Sequence, residues 1–182
     1  CSKLEVLAEK LPYNIRFLNN GKRGFILLDE GLADIACVSC YGTEGNNFGQ
    51  KHFLASEYFQ ELGLMAKDEA FLQLENIACL SIMGWSRESE MKLLLENSLR
   101  DMGVNIKDLT FIGEARTHSA VAASVVSGKT DLGFGEQAVA ESKNLAFRSL
   151  MWNKIMLMAA SSSLDKLAMK LLLSNLNSNY KK

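Results

Sequence analysis

A short pattern occurs twice in this chain and limits how it can fold. Ile15-Arg16-Phe17 leads through a loop and a helical stretch to Gly31-Leu32-Ala33-Asp34-Ile35-Ala36. Thr110-Phe111-Ile112 leads the same way to Gly128-Lys129-Thr130-Asp131-Leu132-Gly133. Each copy reads as strand, turn, helix and glycine stop, then a strand opened by aspartate and an aliphatic residue. The glycine supplies the left-handed residue that ends a helix, and the aspartate offers a short acceptor to turn amides. Two such copies predict two lobes of similar build in an α/β chain with mostly parallel sheets.

The remaining elements alternate in the same manner. An N-terminal helix (Leu4, Leu7, Ala8, Leu11) ends near Pro12, and Asn14 to Leu18 reads as a strand. Arg23 to Glu30 reads as a helix, Asp34 to Val38 as a buried strand, and Tyr41 to Gln50 as a polar loop. Strands are expected around Phe53, at Leu62 to Ala66 and at Ile77 to Met83. Glu88 to Met102 carries Met91, Leu94, Leu95, Ser98, Leu99 and Met102 on one helical face, with Gly103 as its cap. Leu109 to Ile112 reads as a strand, His118 to Val126 as a helix of small residues, and Asp131 to Phe134 as a strand. Asn153 to Ala160 and Leu164 to Leu176 read as a closing strand and helix.

Composition narrows the function classes. The 182 residues carry a net charge of −1 with both signs interspersed, which predicts no direct binding to nucleic acid by this domain. No apolar run reaches the roughly 18 residues of a membrane span, so a soluble domain is expected. A single proline argues against a long linker. Cys1 in place of an initiator methionine reads as a processed product or a fragment, with lipidation of that cysteine as an alternative. Four cysteines in a chain of this size do not suggest a disulfide scaffold. Cys37-Val38-Ser39-Cys40 ends a buried strand rather than starting a helix, so Cys37 reads as a core residue and not a redox thiol. The two histidines, His52 and His118, show no metal-ligand spacing. No metal or cofactor is expected.

Thr117-His118-Ser119-Ala120-Val121-Ala122-Ala123-Ser124-Val125-Val126-Ser127-Gly128-Lys129-Thr130-Asp131-Leu132-Gly133-Phe134-Gly135 resembles a segment of the molybdate-binding-like branch of the type II periplasmic-binding-protein superfamily. Gly31 to Ala36 is similar to the corresponding end of that family's first lobe, and Thr43-Glu44-Gly45-Asn46-Asn47 sits where the family has a polar loop. The resemblance extends more loosely to the substrate-binding domains of LysR-type regulators. It implies two Rossmann-like lobes joined by crossing strands: residues 1–55 with 136–182 as lobe I, and 56–135 as lobe II. It also implies a first strand lying just before Cys1, and lobes that close on a ligand. One region departs from the family. The molybdate-binding kind carries Gly-Ser-Gly-Thr-Arg where this chain reads Gly84-Trp85-Ser86-Arg87-Glu88-Ser89-Glu90, which weakens the case for molybdate or tungstate.

Several residues are candidate ligand contacts. Ser86 and Arg87 are expected to open a helix, where free backbone N–H groups and the positive dipole end suit an anion. Arg87 adds a bidentate donor. Thr117 and His118 open the next helix on the same reasoning. Tyr41 and Asn47 lie at or beyond the carboxyl end of a strand, where α/β folds bind ligands. Glu136 follows the strand Asp131 to Phe134, placed for ligand contact or for capping the next helix. By the resemblance, Ser2 stands at a helix N-terminus that the family uses for ligand. No nucleophile–base set or pair of catalytic carboxylates stands out, so no enzyme activity is expected.

The function expected is reversible binding or sensing of a small anionic solute, an oxyanion or small carboxylate. Partners would be a membrane transporter, with the domain in the periplasm, or an upstream DNA-binding domain in a cytoplasmic regulator. The alternative is an enzyme built on the same fold.

Overall fold

The computed structural model describes residues 24–39, 52–87 and 89–178. The chain divides into two compact units, one of Gln60–Asn153 and one of the described residues up to Phe59 together with those from Lys154 onward. Six strands are hydrogen-bonded neighbours in the order β1-β6-β2-β5-β3-β4, with β1 Ile35–Ser39, β2 His52–Ala66, β3 Ser81–Trp85, β4 Thr110–Ala115, β5 Leu132–Glu136 and β6 Ala146–Ala160. This is a mixed α/β fold. The parallel part is β3 with β4 and β5, while β1 with β6 and β2 with β5 pair antiparallel. The antiparallel pairs involve the two 15-residue strands, β2 and β6, each of which passes from one unit into the other.

In the unit holding both ends, helix α1 (Gly24–Asp29) runs into Gly31, whose φ of 67° ends it as the repeated pattern predicts. Leu32 N donates to Leu27 O at 2.9 Å across that turn. Strand β1 pairs with β6 from Ile35↔Ala159 to Ser39↔Ile155. Its two faces are both covered: Ala36 and Val38 pack with Leu28, Met156 and Met158, while Ile35 and Cys37 pack with Tyr58, Ile155, Leu157 and Leu172. A strand covered on both faces has no polar side to show, hence the continuous apolar run. Cys37 is thus a packing residue, and Cys40 lies outside the described residues. Helix α5 runs from Leu167 to Ser178.

In the Gln60–Asn153 unit, α2 (Glu90–Asp101) buries Leu94, Leu95 and Leu99 against the sheet. Helix α3 (His118–Val126) buries Val121, Ala122, Ser124 and Val125, and the short α4 (Gln137–Ser142) precedes β6. Gly103 and Gly128 end α2 and α3 at φ of 79° and 73°. The stretch expected as a strand from Ile77 is instead a 3-10 helix, Leu74–Cys79, and the strand starts only at Ser81. Ile77 is buried while Glu75, Asn76, Ala78 and Cys79 are exposed, a spacing that suits three residues per turn rather than alternation. The expected strands near Phe53 and at Leu62 to Ala66 are one strand, and β6 begins at Ala146 rather than Asn153.

Candidate functional site

The carboxyl ends of β3 and β4 and the start of α3 meet at one edge of the Gln60–Asn153 unit. Ser86 N donates to Ala115 O at 3.0 Å, tying the residue after β3 to the last residue of β4. Two residues on, Thr117 caps α3: its Oγ1 accepts from Ala120 N at 3.1 Å. Val121 N donates to Thr117 O, which leaves the amides of His118 and Ser119 in the first turn with no helical acceptor. These amides carry the positive end of the helix dipole.

His118 packs edge-on against Trp85, with ring centroids 5.1 Å apart and planes at 68°. Trp85 is itself fixed, because its Nε1 donates to Phe134 O at 3.0 Å. A Cβ on Gly135 would lie 3.1 Å from His118 Nδ1 and 2.8 Å from Met65 Cε, so the glycine makes room for the imidazole. His118 Nδ1 is buried and has no hydrogen-bond partner among the described residues. Burial pulls the imidazole down to about 4, so the ring is neutral near pH 7. It can therefore offer one donor and one acceptor but no charge.

The structure places the sequence-predicted residues unevenly. Thr117 and His118 stand where expected. Ser86 and Arg87 reach the same edge but do not open a helix. The N-cap of α2 is Ser89, whose Oγ accepts from Met91 N at 3.2 Å, and Ser89 N donates to Ser86 O at 2.9 Å. One turn of chain separates Ser86 from the helix dipole, so the dipole argument fails there, and Arg87 is exposed. Glu136 ends β5 in the N-cap position of α4 but makes no side-chain cap bond, and it is buried. It projects to the opposite face of the sheet from His118, because His118 packs over the neighbouring Gly135. Ser2, Tyr41 and Asn47 lie outside the described residues.

Two residues of this edge escaped the sequence reading. Arg116 is exposed between β4 and the Thr117 cap, and neither it nor Arg87 forms an ion pair among the described residues. Its position immediately before the Thr-His pair was the available signal. Trp85 is buried in the core and also fixes the His118 ring. No metal-ligating cluster occurs among the described residues, and no helix among them is long and apolar enough to cross a membrane.

These features describe a two-unit α/β domain with an anion-compatible edge on the strand ends. The family model of the PBP superfamily domain matches residues 6–177, and the chain belongs to that superfamily. A search of curated protein sequences returns no match. Among solved structures, the chain is similar to the CcmR regulatory domain from Synechocystis in complex with 2-PG, at 12% identity and a TM-score of 0.67, covering 98% of this chain and 89% of that one. It is also similar to the effector binding domain of QuiR in complex with shikimate, at 14% identity and a TM-score of 0.60, covering 88% and 78%. A probable amino-acid ABC transporter extracellular-binding protein from Bacillus subtilis matches at 13% identity and a TM-score of 0.54, covering 98% and 81%. At these identities the likeness establishes the fold.

Proposed function

We propose that this chain is a ligand-binding or ligand-sensing domain that takes a small anion, an oxyanion or small carboxylate, at the strand-end edge of the Gln60–Asn153 unit. The observation that carries the reading is the open first turn of α3, where the His118 and Ser119 amides stand beside Thr117, with Arg87 and Arg116 exposed nearby and in no ion pair among the described residues. Oriented amides stabilise an anion without a buried counter-charge, and each arginine adds a planar pair of donors at the rim. Neighbours of the same fold bind shikimate and 2-PG, which supports a site for small carboxylate- or phosphate-bearing molecules. The domain would act with a membrane transporter in the periplasm or with a DNA-binding domain in a cytoplasmic regulator, and without turnover.

Thermal-shift measurements with sulfate, phosphate, molybdate, succinate and malate test this. A ligand at 100 times its Kd stabilises the folded state by about 2.7 kcal/mol, which moves the Tm of a chain this size by about 5–10 °C. Arg87→Ala and Arg116→Ala should weaken the response of the same anion. Steady product formation from a bound compound would replace the receptor reading with an enzymatic one.

A further inference from the structure

The His118 side chain belongs to a residue whose free amide opens the proposed anion seat at the first turn of α3. Side chains on a helix tilt toward its N-terminus, so the imidazole leans to the side where an anion would bind. Trp85 meets the ring edge-on, and Gly135 leaves the space that the ring fills. Trp85 is tied in turn to Phe134 O. Nδ1 is buried and bonded to nothing among the described residues. No fixed carboxylate or carbonyl there favours either charge state of the ring, and burial holds it neutral.

A group bonded to the His118 amide stands about 4–6 Å from the imidazole of the same residue. Its charge is then close enough to raise the ring's titration point by about 1–3 pH units. We infer that anion binding at α3 is coupled to uptake of a proton by the His118 imidazole. The inference rests on the anion-binding reading above and adds its regulation: the site holds anions more tightly as the solution is acidified. The proton comes from the solvent and goes to the ring nitrogen that lacks one, with no covalent bond to the ligand. The folded ring stands at about 4 without ligand. A rise of about two pH units makes affinity at pH 5.5 about fourfold higher than at pH 7.5.

Trp85 and Gly135, which line the ring, carry no charge. Among the described residues, the charged groups on the surrounding elements are few. Arg87 follows β3, and Glu114 and Arg116 stand on and after β4, all three exposed. Glu141 on α4 is exposed and accepts from Gln137 Nε2 at 2.9 Å. Glu136 projects to the opposite face of β5. Glu61 lies two residues before Gly63 on β2 and shares the face of the ring, because Gly63 pairs with Gly135. Arginine does not titrate between pH 5 and 8. Glu61 is therefore the rival destination for the proton, since a bound anion favours protonation of a carboxylate beside it.

The test is calorimetric titration of sulfate and of ethanedisulfonate, whose charges are constant over this range, at pH 5.5 and 7.5. Two buffers of different ionisation heat count the protons. Binding is expected to be about fourfold tighter at pH 5.5, with about 0.7 proton taken up per anion. In His118→Asn the affinity, whatever its level, should be the same at both pH values, while Glu61→Gln should keep the difference. The wild-type imidazole resonances give a second measurement that needs no variant. Of the two histidines, the one beside Trp85 should titrate about 1–3 pH units higher in saturating sulfate. Saturable binding with one affinity at both pH values, or an imidazole that titrates alike with and without sulfate, overturns the coupling and leaves the anion site standing. A pH dependence that survives His118→Asn and disappears in Glu61→Gln gives the proton to Glu61 and also overturns it. Binding of neither anion at either pH overturns the anion-binding reading and the coupling with it.

Discussion

Adding one methyl group at Gly133 should displace the helix that presents the proposed anion site. Gly133 does not need a glycine backbone conformation; it needs the space. A Cβ there would lie 2.4 Å from Val121 Cγ1, 3.2 Å from Val125 Cγ2 and 3.3 Å from Met65 Cγ. Both valines are essentially fully buried, and a valine in a helix has one dominant χ1 rotamer, so neither can swing aside. The contact at 2.4 Å must open by about an ångström, through movement of α3 away from β5. Overpacking of this kind costs about 1–3 kcal/mol. Restriction of the unfolded chain by alanine returns about 0.4–1 kcal/mol. The net loss expected for Gly133→Ala is about 1–2 kcal/mol, or about 2–8 °C in Tm for a chain of this length. Urea unfolding followed by circular dichroism measures it. Val121→Ala removes the clashing methyls, so the double variant should cost at least about 0.5 kcal/mol less than the sum of the single changes. Wild-type stability in Gly133→Ala, or strict additivity in the double variant, would refute the claim that close packing of β5 on α3 positions the site.

Two further expectations concern pH. The folded state holds the His118 imidazole near 4, below its ordinary 6.5, so the unfolded chain binds the extra proton first as the solution is acidified. Stability is therefore full above about pH 6.5 and falls by about 3 kcal/mol on the way to pH 4, and His118→Asn should flatten that slope in urea midpoints measured against pH. Asp131 accepts from Ser81 N at 2.8 Å and from Ser81 Oγ at 2.7 Å, and these bonds hold its carboxyl below the usual aspartate value. Its contribution is present above that ordinary value and is lost only as pH falls through the lower folded one. Asp131→Asn should cost about 1–3 kcal/mol at pH 7, read by thermal melts, with the difference from wild type shrinking at strongly acid pH.

How much of this was legible in the sequence differs from element to element. Helix α3 was readable at both ends, because Thr117 supplies the cap and Gly128 the left-handed stop, and both signals are local. The two aspartates of the repeated pattern were recognisable, but their partners were not. Asp131 serves Ser81 at the start of β3, whereas Asp34 meets Ser163 and Lys166, more than 120 residues away along the chain. The cap of α2 was misplaced onto Ser86 because Ser86 and Ser89 are both followed by a glutamate within two residues, and only the strand-end bond to Ala115 decides between them. Gln60 was invisible. A polar residue in the middle of a strand ordinarily signals the solvent face, yet Gln60 is buried in β2. Pairing across a sheet joins residues far apart in sequence, which local pattern cannot anticipate.

The account turns on where an anion sits. Titrating the isotopically labelled chain with malate or phosphate, while following backbone amide resonances and Trp85 fluorescence, addresses this most directly. The account predicts saturable shifts centred on the His118 and Ser119 amides, with a change in Trp85 emission at the same midpoint. Saturable binding that leaves those two amides unmoved would contradict it.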